Sequence, residues 1–158
     1  MSPTATNPAP VFFEDLTIGE TWRTGARTIT EADIMAFAEI SGDFNPIHVD
    51  VEHAATTVFG ERNAHGALVL AIATGLRQQD GRFHGTLKAW LGMRDWRFKA
   101  PVRIGDTIHV VNRVAELDPA KDPADGLLVQ NVEVRNQHDQ VVAHGQFVTL
   151  MRRRVPAT

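Results

Sequence analysis

The run Ala67 to Leu76 is apolar on every side when wound as a helix, and it constrains the fold more than any other stretch. A helix of that kind is one that neighbours cover completely. It is far short of the roughly twenty residues a membrane span requires, so the cover has to come from protein. The sequence that follows offers it. From Thr86 the pattern turns to strands: Leu87, Ala89, Leu91 and Met93 alternate with Lys88, Trp90, Gly92 and Arg94, and Trp96 and Phe98 continue one face up to Pro101. Gly105-Asp106 reads as a turn and Ile108 to Leu117 as a strand, followed by a long Pro- and Asp-rich loop over Asp118 to Gly126. Leu127 to Arg135 and Val141 to Met151 complete a meander around the polar turn Asn136 to Gln140. Helices first and consecutive antiparallel strands afterwards is an α+β arrangement, a sheet wrapping one central helix.

The N-terminal half prepares that core. Residues 1–10 are Ser/Thr/Ala/Pro-rich with no basic start and no apolar centre, which predicts a disordered tail rather than a signal peptide. Phe12, Phe13, Leu16 and Ile18 anchor an irregular lead-in, and Thr21 to Ile29 reads as a short strand weakened by Gly25. Thr30, with Asp33 three residues on, is a variant capping box; Ile34, Phe37, Ala38 and Ile40 then recur at near-helical spacing, predicting a helix over Glu31 to Ser41. A single domain over 11–151 and a solvated basic tail over 152–158 follow, with no repeat and no linker. A net charge of −3 argues against non-specific nucleic-acid binding. The absence of cysteine excludes disulfides, thiolate nucleophiles and Cys-based metal sites, and is compatible with a soluble protein of a reducing cytoplasm.

Chemistry concentrates between Ser41 and Asp50, Ser-Gly-Asp-Phe-Asn-Pro-Ile-His-Val-Asp. Gly42 and Pro46 break helix at both ends, so Asp43, Asn45 and His48 sit on a turn that aims several side chains at one place. A carboxylate and an imidazole that share one water can move a proton on or off it. An ordinary Asx-turn closing a helix, with His48 on the surface, is the competing reading, because Gly-Asp and Asn-Pro are common turn signals. Gly66, after His65, opens the apolar helix; its amide either holds an anion or developing oxyanion, or the glycine simply permits close packing. His48, Asp50, His53 and His65 superficially suggest a metal site, but residues on one irregular segment guarantee no coordination geometry, and no metal is expected. The Gly60 to Gly66 loop lacks the Lys-Ser/Thr ending of a P-loop, and no Gly-x-Ser-x-Gly is present. Trp90, Trp96 and Phe98 read as core or subunit-interface residues.

Taken together, Ser-Gly-Asp-Phe-Asn-Pro-Ile-His-Val-Asp, Phe59, Ala64-His65-Gly66 opening an apolar helix, and Phe98-Lys-Ala-Pro-Val-Arg-Ile-Gly-Asp106-Thr closely resemble the MaoC-like (R)-specific enoyl-CoA hydratases, the hydratase 2 group. The resemblance covers about Phe13 to Met151. It implies a hot-dog fold, a homodimer or higher homo-oligomer, an acyl-CoA or acyl carrier protein thioester as substrate, and no cofactor, nucleic acid or membrane. It further implies that Asp43 and His48 form the catalytic pair, that Asn45 shapes the loop, and that Gly66, with His65 beside it, lies where the thioester oxygen binds. The expected activity is reversible hydration of a 2-enoyl thioester; a hot-dog thioesterase and a non-catalytic acyl-CoA-binding subunit are the alternatives. One departure stands out. Where that family usually carries an apolar branched residue before Ala-His-Gly, this chain has Asn63 after Glu61-Arg62, which points either to a polar or short acyl group or to a solvated loop.

Overall fold

The capping box expected at Thr30 forms and sets the start of the first long helix. In the computed structural model, which describes residues 9–154, the Thr30 hydroxyl accepts from the Asp33 amide at 3.2 Å and the Asp33 carboxylate accepts from the Thr30 amide at 2.9 Å. Helix α1 runs Glu31–Ser41 and ends at Gly42, whose φ of 75° is the left-handed conformation that favours glycine at this position. Burial raises the Asp33 carboxyl, but the Thr30 hydrogen bonds and the Arg27 guanidinium outweigh it and hold the group below the usual carboxylate range.

Around α1 the elements follow in the order β1 (Thr21–Thr28), α1, α2 (Pro46–Val49), α3 (Val51–Ala55), α4 (Gly66–Gln79), β2 (Leu87–Phe98), β3 (Thr107–Pro119), β4 (Asp125–Arg135) and β5 (Val141–Arg152). The strands form one antiparallel sheet in the order β1-β3-β4-β5-β2. The α+β class is as expected, and so is a sheet packed on one long helix. The meander is not complete, however, because β2 does not pair with its successor β3. The connection between them crosses the end of the sheet: the Ala64 amide donates to the Val102 carbonyl at 2.7 Å, and Ile29 exchanges backbone hydrogen bonds with Gly105 and Asp106. That path carries β3 to the far side and leaves β2 to pair with β5.

Burial shows what holds the layers together. Leu68, Val69, Ile72, Ala73 and Leu76 of α4 face Val110, Val132, Val134, Ala143 and Phe147 of the sheet in one core cluster. Each large aliphatic side chain buried in this way contributes about 1.5–3 kcal/mol. A second cluster, Phe13, Leu16, Phe83, Val114, Leu128 and Met151, closes the other end. Phe13 comes so close to the backbone of β4 that a Cβ on Gly126 would lie 2.3 Å from its ring, so glycine is needed there. Arg77, the one charged residue among the buried residues of α4, lies over the Phe147 ring and donates to the carboxamides of Asn112 and Gln130. Burial pushes its guanidinium down to about 10, with Asp80 opposing.

Three expectations are corrected. Helix α4 is not covered all round within the chain, since Ala67 and Ala71 are exposed. The loop expected over Asp118 to Gly126 is shorter, because the β3–β4 ladder extends to the pair Pro119 and Gly126. The basic run does not begin a free tail: Arg152 ends β5, Arg153 pairs with Glu14 over the Phe13 ring, and Arg154 pairs with Asp15 over Phe12. Residues 1–8 and 155–158 lie outside the described residues, so most of the predicted N-terminal tail is not addressed.

Thr30→Ala should lower the free energy of unfolding by about 1 kcal/mol, read from the urea midpoint, whereas Thr30→Ser should restore most of it. His109 supplies a pH test. Burial first, then Arg23 and Arg135 against the opposing Asp139, places its imidazole below the ordinary histidine value. The unfolded chain therefore takes up this proton before the folded one does. Stability is complete above about pH 6.5 and declines as pH falls below it, and His109→Gln should flatten that part of the curve.

Candidate active site

The pocket opens where the α4 N-terminus, the α2 segment and the β2–β3 connection meet. It encloses about 520 Å³ between Ile47, His48, Phe59, Asn63, Gly66, Val69, Phe98, Lys99, Val102 and Val142 among others. Most of that wall is hydrocarbon. The polar groups arrive on the short segment between α1 and α3.

That segment is built as a chain of small caps. The Asp43 amide donates to the Ser41 hydroxyl at 3.2 Å, and the Asn45 amide donates to the Asp43 carboxylate at 3.2 Å. The Asn45 side-chain oxygen in turn accepts from the Ile47 amide and caps α2, with Pro46 preset for the first helical position. Asp50 caps α3 in the same manner. The short helix α2, and not the irregular turn expected from Pro46, thus carries His48 inward, where it is buried, because proline suits the first helical position; Asp43 before it is exposed and does not line the pocket. His48 is not a surface residue, so the surface variant of the plain Asx-turn reading fails, although the Asx hydrogen bonds themselves are present.

His48 and His65 are each oriented by a backbone carbonyl. His48 Nδ1 lies 2.8 Å from the Asn63 oxygen and His65 Nε2 lies 2.9 Å from the Asp43 oxygen. A carbonyl only accepts, so each of these nitrogens carries the hydrogen. His48 Nε2 is left with a free lone pair. The two rings stack with centroids 3.8 Å apart, and Phe37 of α1 covers His65 at 5.0 Å.

Asp43, His48 and His65 bring one ligand-type atom each within 4.8 Å of one another. Asp43 and His48 make no direct hydrogen bond among the described residues. By distance the trio also meets a minimal metal criterion, but two ring planes tilted by only 31° and 3.8 Å apart do not converge their lone pairs on one point. Zinc would need them to meet at about 2.0–2.1 Å. Asp50 and His53 stand apart from this trio: both are exposed, and the Asp50 carboxylate is engaged in its cap.

Gly66 lines the pocket at the first position of α4, where the amides of the opening turn have no intrahelical acceptor. A Cβ there would lie 2.7 Å from Phe98 Cζ, so the close-packing reading of this glycine holds. His65 does not line the pocket; it is buried behind the Asp43 loop. Asn63 is buried in the pocket wall, with its carbonyl on His48 and its backbone bridged to Arg103, so the solvated-loop reading does not apply to it. Glu61 and Arg62 do pair outward, with Arg103 and Glu31. Of Arg62, Arg94, Arg97 and Lys99, all available for phosphate by sequence, Arg62 and Arg94 are engaged by Glu31 and Glu116; Arg97 and Lys99 form no ion pair among the described residues, and Lys99 lines the pocket. Sequence reasoning did not place Phe98 or Lys99 at the pocket, and the orienting carbonyls of Asn63 and Asp43 leave no signal in side-chain identity.

With this geometry in hand, the relatives are informative. A model of the MaoC-like domain matches residues 13–142. An (R)-specific enoyl-CoA hydratase of Rhodospirillum rubrum is 40% identical over 110 residues, covering 70% of this chain and 74% of that protein. Protein MaoC of Klebsiella aerogenes is 41% identical over 104 residues, but the match spans only 30% of its length. Among solved structures, R-hydratase PhaJ1 from Pseudomonas aeruginosa superposes with a TM-score of 0.75 at 31% identity, covering 94% of this chain and 92% of that one. A Mycobacterium tuberculosis protein described as a double hot-dog fold superposes at 0.81 over 94% of this chain and 46% of its own, with 22% identity, and so supports the fold alone. The five-stranded sheet on one helix is a hot-dog fold, and the chain belongs to the MaoC-like dehydratase family.

Proposed function

We propose that this chain is an (R)-specific hydro-lyase that reversibly adds water to a 2-enoyl thioester of CoA or an acyl carrier protein. One observation carries the reading: the Asp43 carboxylate and the His48 imidazole bring ligand-type atoms within 4.8 Å of each other, and His48 lines an apolar pocket together with Gly66 at the N-terminus of α4. The names of relatives similar over most of their length support the same reaction and its stereochemistry.

In the hydration direction the water between Asp43 and His48 gives its oxygen to the β-carbon, and its proton passes to the pair. A proton is delivered from the pair to the α-carbon, so the elements of water are added and no electrons are gained or lost overall. Such chemistry calls for no cofactor. The two groups act as a unit, with His48 Nε2 offering its lone pair because Nδ1–H is committed to Asn63. As the carbon–oxygen bond forms, electron density moves through the α-carbon to the thioester oxygen, and the Gly66 amide and the helix N-terminus stabilise it there.

The wall fits the rest of the substrate. Phe59, Phe98, Val69 and Val142 offer an apolar wall for an acyl chain, Asn63 among them favours a short or polar one, and we assign the CoA phosphates to Lys99, which lines the same pocket. A second copy of the chain would cover what one copy leaves open, namely Ala67 and Ala71 on α4 and the edge strand β2 with Trp90, Leu91, Met93 and Phe98 exposed.

With crotonyl-CoA, absorbance of the conjugated thioester should fall without release of free thiol. Asp43→Asn and His48→Ala should each lower kcat by about a hundredfold or more, in line with loss of a general acid–base group. Asp43→Asn should leave the thermal midpoint nearly unchanged, because its side chain is exposed and the amide keeps an acceptor for Asn45. Thiol release would establish a thioesterase instead. Binding without turnover across short, long and polar enoyl thioesters would establish a non-catalytic acyl-CoA-binding subunit.

A further inference from the structure

Asp43 is exposed, yet the proposed chemistry needs its carboxylate held within a fraction of an ångström of one place. Two of its hydrogen bonds are local, to Ser41 and from Asn45, and would travel with the turn if the turn moved. The third is not. His65 Nε2–H donates to the Asp43 carbonyl across 22 positions of sequence, and among the described residues it is the long-range hydrogen bond that ties Asp43 to the rest of the fold.

His65 reaches the other two participants as well. Its ring lies against His48 with centroids 3.8 Å apart, and it precedes Gly66 as the N-cap position of α4 without making a side-chain cap. It is 2% exposed and is itself wedged by Phe37 of α1. One side chain therefore touches the carbonyl of the acid and the face of the imidazole, on the residue whose backbone leads directly into Gly66. We infer that His65 is a positioning residue: it touches no substrate but holds Asp43, His48 and Gly66 in one frame, by a directed N–H donation and not by filling space.

The inference rests on the hydration reading, and two substitutions separate donation from packing. His65→Phe keeps a ring, the stacking and the burial but has no donor. His65→Gln gives up the ring and returns an N–H near the Nε2 position. A misplacement of about 1 Å in such a site costs about a hundredfold in rate, so His65→Phe should lower kcat with enoyl-CoA by about that factor with KM little changed, and His65→Gln should recover most of it. The reverse order, Phe active and Gln impaired, would make His65 a packing residue and overturn the proposal.

A second readout does not depend on turnover. Long-range ¹H–¹⁵N correlation of the imidazoles in the wild-type protein should show His65 as the Nε2–H tautomer and His48 as the Nδ1–H tautomer. In His65→Gln the His48 signals should keep that pattern. Finding His65 protonated at Nδ1 alone would overturn the proposal even if His65→Phe failed to fold. Absence of hydration by the wild-type protein would defeat the proposed activity, and the spectra would still decide whether His65 holds the Asp43 loop.

Discussion

Burial of one face of α4 on the five-stranded sheet is the constraint on which everything else depends. It supplies most of the larger core cluster, and it fixes where the first turn of the helix begins. The sheet accepts the helix because β3, β4 and β5 each turn alternate apolar residues inward. The helix axis then lies along the sheet, and its amide-rich end projects at the edge where the β2–β3 connection passes. Hydrophobic packing is non-directional, but here it sets the place and direction of a helix terminus, which is a directional electrostatic object.

Around that terminus, orientation depends on main-chain carbonyls. Asn63 holds His48 and Asp43 holds His65, so each imidazole has its tautomer set by an acceptor that cannot change protonation. No ion pair is involved in either contact. A carboxylate in place of either carbonyl would add negative charge beside the Asp43 carboxylate. The β2–β3 connection contributes by bonding Val102 to Ala64 and bridging Arg103 to Asn63, which stiffens the wall that presents the Asn63 carbonyl. The site is assembled from separated stretches, and local caps shape the one that carries Asp43, Asn45 and His48.

Part of the exposed apolar surface is gathered on β2. Trp90, Leu91, Met93 and Phe98 are exposed along β2, an edge strand of the sheet, and Ala67 and Ala71 are exposed on α4. An edge strand with exposed aromatic residues is ordinarily a liability for aggregation, and pairing with a like edge removes it. Phe98 belongs to this strand and to the pocket at once, packed on Gly66.

Much of this was legible in the residues themselves. Thr30-x-x-Asp33 and Gly42 mark both ends of α1 because caps are short-range hydrogen bonds, whereas Pro46, read as a helix breaker, instead opens α2 under the Asn45 cap. Alternating apolar residues mark the strands because the pleat has a period of two. The segment carrying Asp43 and His48, and the helix beginning at Gly66, were visible as motifs. What no local pattern contained was the pairing of β2 with β5, the burial of His65 away from the pocket, the place of Phe98 and Lys99 in its wall, and the open face of an all-apolar helix. Each of these depends on which distant segments come together, and that is decided by how the whole chain buries its apolar area. The sequence determined which groups are present and how each short segment turns; only the tertiary structure decided which of them meet, because the contacts that join them are long-range and several are made by backbone atoms that every residue shares.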